Sequence, residues 1–146
     1  MRRLQVLSPA VLASLAAVFA GCGTGGAEIG ATASVYAAAP LCKEARTDAG
    51  AAGDLKVRVV CLPPRSSGDA ALAAAGADAR RATEDSTSVA FLEAPGPAAK
   101  FSQPIVEAAD VAWVETRSGA AAMRRIVKAL EGDGSSPRKA VLDEVG

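Results

Sequence analysis

The chain has 146 residues, with 16 basic and 16 acidic side chains, no His and three Cys. That length fits one domain with a leader, and 50% hydrophobic against 22% charged residues calls for a packed core. Lack of His excludes Ser–His and Cys–His catalytic pairs, His-ligated zinc and imidazole proton shuttles, and the balanced charge argues against a nucleic-acid partner.

Met1-Arg2-Arg3 and an apolar run from Val11 to Ala20 have the layout of an export signal. The run is shorter than the roughly 20 residues a bilayer span needs. Phe19-Ala20-Gly21-Cys22 resembles the lipobox of bacterial lipoproteins, with Phe19 where the family usually has Leu. The resemblance implies cleavage before Cys22 and a diacylglyceryl group on its sulfur. With the amine acylated as well, several chains would anchor stably where one does so only marginally. The other readings are a plain secretory signal, a noncleaved membrane helix and, from Arg2-Arg3, twin-arginine export. Gly21 to Gly26 matches G-x-G-x-x-G, but no strand precedes it and it straddles the cleavage point. Residues 1–21 are therefore expected to be signal peptide and residues 22–31 a Gly-rich tether.

Thr32 to Ala38 predicts a first strand, stopped by Pro40. Leu41 to Ala52 is compatible with a helix ended by Gly53-Asp54. Leu55 to Leu62 alternates and is rich in Val, so it predicts a strand, which Pro63-Pro64 ends. Arg65 to Gly68 is loop, and Asp69 is placed to cap an Ala-rich helix to about Glu84. Ser88 to Leu92 predicts a short buried strand. After Pro95-Gly96-Pro97 a helix is expected through about Ala109, bent at Pro104. Val111 to Val114 predicts a fourth strand, with Trp113 packing at the edge. Ser118 caps a helix whose Met123, Ile126, Val127 and Leu130 follow helical spacing, leaving Arg124, Arg125 and Lys128 to solvent. Gly132 to Pro137 is linker, and Arg138 to Val145 a last short helix. The domain spans residues 32–131, followed by linker and helix over 132–146.

Strands alternating with helices predict an α/β fold: a three-layer parallel sheet of about four strands, ordered 2-1-3-4, with helices on both faces. With Cys22 lipidated, Cys42 and Cys61 are left as an even pair. They fall at the same ends of neighbouring strands, within disulfide reach. Closing that loop contributes about 3 kcal/mol. The alternative is a reactive thiol at Cys42, for which no His base exists.

Leu72 to Leu92 resembles the helix and strand before the first ligand loop of type 1 periplasmic binding proteins, the branched-chain amino-acid receptor kind. Phe101 to Val111 is similar to their next helix, and Gly53 to Val57 to their turn into the second strand. The likeness covers Thr32 to Leu130 and implies a flavodoxin-like half of a two-lobed receptor. The implied ligand loops are Glu93-Ala94-Pro95-Gly96 and Glu115-Thr116-Arg117-Ser118-Gly119. Ligands of open parallel sheets sit beyond the carboxyl ends of the strands. Ala39 to Leu41, Glu93 to Gly96 and Thr116 to Gly119 are therefore expected around one shallow crevice. Glu93, Ala94, Thr116, Arg117, Ser118 and Gly119 are its candidate ligand residues. The bland alternatives are solvated surface for Glu93 and Arg117 and a plain helix cap for Ser118.

Three functions follow. The first is a membrane-tethered module on the outer side of the cell membrane that binds a small solute, such as an amino acid, weakly or as a dimer. The second is a non-catalytic structural or accessory envelope lipoprotein. The third is an enzyme using Glu93 and Glu115 as paired carboxylates, but nothing in the sequence shows that they converge, so no enzyme and no catalytic residue is expected. No cofactor and no metal ligand is expected. The implied partners are the membrane through the lipid, a second copy or a transporter permease, and no nucleic acid.

Overall fold

The computed structural model describes residues 31–132 and 136–146. The signal peptide, Cys22 and its lipid, most of the tether and part of the linker lie outside the described residues. The elements are β1 (Thr32–Ala37), α1 (Ala39–Thr47), β2 (Ala51–Ala52), β3 (Leu55–Cys61) and α2 (Asp69–Glu84). They continue with β4 (Ser88–Glu93), α3 (Ala99–Glu107), β5 (Ala112–Glu115), α4 (Gly119–Leu130) and α5 (Pro137–Val145). Among the described residues no helix is long and apolar enough to cross a membrane.

Among the described residues the sheet has five strands in the order β2-β3-β1-β4-β5. β3, β1, β4 and β5 run parallel, and β2 lies antiparallel to β3. Count and order thus differ from the four strands, ordered 2-1-3-4, expected above. The cause is local. The first helix stops at Thr47, not Ala52, and Ala51 and Ala52 pair with Lys56 and Leu55. Gly53 makes this reversal at φ 61°, the sign a type II′ hairpin turn needs at its first central residue.

The central strands β1 and β4 are buried almost throughout, as strands covered on both faces must be. On one face, Val35, Ala37, Leu92 and Val114 pack with Leu41, Met123, Ile126 and Val141 of α1, α4 and α5. On the other, Tyr36, Phe91 and Val111 pack with Ala79 and Ala82 of α2 and Val106 of α3. α2 begins after Gly68, so Asp69 lies in its first turn and makes no side-chain cap. An acid there still favours the helix dipole. α3 runs through Pro104, which has no N–H to give the Lys100 carbonyl. Ser118 does cap α4, its Oγ accepting from the Ala121 N–H at 3.3 Å.

A disulfide joins Cys42, in the first turn of α1, to Cys61, the last residue of β3, with the Cα atoms 5.4 Å apart. It ties α1 to the sheet at the carboxyl edge. Replacing both by Ser is expected to lower stability by about 3 kcal/mol in denaturant unfolding, the loss of one closed loop.

At the amino edge a polar network replaces apolar packing. Asp85 accepts from the Thr87 hydroxyl at 2.6 Å, the Thr87 N–H at 2.9 Å and the Tyr36 hydroxyl at 3.0 Å. Arg58 reaches Asp85 at 3.3 Å and Ser34 Oγ at 2.9 Å. Burial raises the Asp85 carboxyl, but the Thr87, Tyr36 and Arg58 contacts outweigh it and hold the group below its ordinary range. Burial first, then the bond to Asp85, pushes the Tyr36 phenol up. A depressed carboxyl contributes stability that is present above its unfolded pKa and lost as pH falls through the folded one. Asp85→Asn is therefore expected to be about 1–3 kcal/mol less stable at pH 7. The gap to the native chain should narrow below pH ~4, read as urea midpoints across pH.

Candidate functional site

The order β3-β1-β4 reverses direction at β1, and there the carboxyl ends of the strands leave a cleft of about 260 Å³. Its walls are Ala38 to Pro40 after β1, Pro63, Arg65 and Ser66 after β3, Ala71 of α2, and Glu93 to Ala98 after β4. The prolines explain the shape. Pro40 sits in the first turn of α1, while Pro63, Pro95 and Pro97 lie in the segments that follow β3 and β4 and cannot extend those strands' hydrogen bonding.

Below the cleft lies a charged cluster. Arg65 Nε donates to Asp78 Oδ2 at 2.9 Å, and its Nη1 donates to both Glu93 oxygens at 3.0 Å. Glu93 is only 2% exposed and accepts further from the Ala94 N–H and the Ser102 hydroxyl, each at 3.2 Å. Trp113 Nε1 donates to Ser102 Oγ at 3.1 Å and closes the chain of contacts. Burial works against the Arg65 cation, but the bonds from Glu93 and Asp78 outweigh it and raise its pKa. Arg65 Nη2 is buried and has no acceptor among the described residues.

Of the six candidate ligand residues, Glu93 and Ala94 line this cleft, together with Ala39 and Pro40. Leu41 faces the core instead. Glu93 turns its carboxylate inward to Arg65. Thr116, Arg117, Ser118 and Gly119 stand one strand further along and do not line the cleft. Thr116 Oγ1 and the Ser118 backbone bond each other at 3.1 Å, so these hydroxyls shape the β5–α4 loop. Ser118 Oγ also donates to Glu44 of α1 at 3.2 Å. Arg117 is exposed, with no ion pair among the described residues. Gly119 has a packing reason. A Cβ there would overlap the Leu41 carbonyl and lie 3.0 Å from Ala45 N, so only Gly lets α4 meet α1 so closely.

Glu93 and Glu115 are register partners on neighbouring strands, but the Glu93 carboxylate is engaged internally while Glu115 is exposed. No group of three or more Cys, Asp or Glu among the described residues is placed to hold a metal ion.

The sequence reading passed over Arg65, Asp78 and Ser102. One signal was present for Asp78. It falls in helical spacing with Ala75, Ala79 and Ala82, a lone acid on an otherwise apolar face. A buried acid needs a partner, and the nearest Arg in sequence outside helix and strand is Arg65.

Arg65→Ala should cost about 3–5 kcal/mol, because it leaves two carboxylates buried and unpaired. Arg65→Ala with Glu93→Ala should cost less than the two single changes summed, by about 1 kcal/mol or more in a double-mutant cycle.

No protein-family model matches the chain, and no curated protein and no solved structure matches it either.

Proposed function

We propose that the chain is a lipoprotein anchored through Cys22 on the outer face of the cell membrane, with a single lobe that holds a small solute. The lobe is read as a flavodoxin-like half of a type 1 periplasmic binding protein. The observation that carries this reading is the position of the cleft, over the carboxyl ends of β1, β3 and β4 where the strand order reverses. Open α/β sheets bind their ligands at such switch points. The Cys42–Cys61 disulfide supports the address, since disulfides persist in oxidising compartments.

One lobe encloses a ligand poorly, and about 260 Å³ falls below the usual range for ligand pockets. Binding by one copy is therefore weak. A second copy or a transporter permease would supply the missing wall. β5 forms one end of the sheet and offers a strand edge for such a partner.

A second reading, a structural or accessory envelope lipoprotein without a small ligand, is favoured by the inward turn of Glu93. Mass spectrometry of the native product tests the anchor, with an acylated N-terminal Cys22 expected. A thermal-shift panel of amino acids, amides and small carboxylates tests the lobe. At least one compound should raise the melting temperature. A flat panel with a specific protein partner would favour the second reading.

A further inference from the structure

We infer that the cleft selects an uncharged, mainly apolar solute with one hydrogen-bond acceptor, such as a small amide, over free carboxylates and amino-acid zwitterions. The inference rests on the solute-binding reading above and names the chemistry of that site.

The charges at the cleft are already committed. Arg65 is the sole cation among the lining residues, and Asp78 and Glu93 engage its Nε and Nη1. Two carboxylates meet one guanidinium, so the formal local charge is negative and an added anion finds no free counter-charge. A carboxylate entering such a site loses hydration without compensation. An ammonium fares no better. Glu93 is the sole acid among the lining residues, is 2% exposed, and has both oxygens occupied by Arg65, Ala94 and Ser102.

Several backbone donors at the edge are closed to an anion. Pro40, Pro95 and Pro97 carry no N–H. The Ala94 N–H goes to Glu93, that of Ala99 to the Gly96 carbonyl at 3.1 Å, and that of Leu41 to the Ala38 carbonyl at 2.9 Å. Several donors at the N-termini of α1 and α3 are thus removed or engaged.

Two side-chain donors remain, the Ser66 hydroxyl on the wall and Arg65 Nη2. Arg65 Nη2 is buried and has no acceptor among the described residues. A buried donor left unmatched is destabilising, and a ligand carbonyl relieves that. Apart from Ser66 and Gly96 the rest of the wall is Ala and Pro, which suits an apolar body.

Three probes share one branched carbon skeleton and differ in charge: isocaproamide, isocaproate and leucine. Each is titrated into the ¹⁵N-labelled full chain in detergent, following the Ala94 and Ala98 amide signals. Isocaproamide should shift them with an affinity about tenfold or more above the other two. In Arg65→Lys, which keeps a cation between Asp78 and Glu93 but lacks Nη2, the affinity for the amide should fall severalfold. Should that variant not fold, the three titrations of the native chain still decide. Isocaproate or leucine binding as tightly as the amide overturns the ligand class and leaves solute binding standing. So does silence from all three probes while other compounds raise the melting temperature. Silence together with a flat thermal panel overturns both.

Discussion

Arg65 lies between Asp78 and Glu93, and the carboxyl edge of the sheet is arranged around those two ion pairs. Its loop follows β3, Asp78 belongs to α2 and Glu93 ends β4, so one side chain couples three segments far apart in sequence. Ser102 and Trp113 extend the coupling to α3 and β5. Burying these ions carries a large desolvation cost. That cost is offset by the two ion pairs and the Ala94 and Ser102 hydrogen bonds to Glu93. At the amino edge Asp85 does the corresponding work with neutral donors and one exposed Arg.

Between these two edges the protein packs with small side chains. Ala fills 35 positions, and aromatics are 3% of the chain. Small residues bury little area each but let helices approach closely. α2 presents Ala75, Gly76, Ala79 and Ala82, and Gly119 admits the α1 backbone. A core of this kind gains from covalent support, and the disulfide supplies it where α1 enters the carboxyl edge.

The same economy of side chains shapes the site. Walls of Ala and Pro leave room over the strand ends but few free polar groups. The Thr116–Gly119 loop, richer in hydroxyls, hydrogen-bonds within itself and to α1. The polar loop is thus structural, and the apolar loop after β4 borders the open space.

Much of this was legible in the chain itself. A Val-rich alternating run ended by Pro63-Pro64 marked β3, short apolar runs next to helical segments marked β1, β4 and β5, the hydroxyl before a periodic apolar stripe marked Ser118 as a cap, and two Cys at the same ends of adjacent strands marked the bridge. These signals are local, or follow from parallel neighbours with crossover helices. Other features were beyond local reading. The Ala51–Ala52 strand exists only because β3 lies beside it, since two alanines favour a helix on their own. Whether Glu93 faced a ligand or the interior depended on Arg65, 28 positions earlier. Gly119 resembled a ligand-loop residue until the Leu41 carbonyl was seen against it. Periodicity and turn chemistry thus determined which segments became strands and helices, while the inward turn of Glu93 was decided only by tertiary contacts, because a buried charge goes where its partner is.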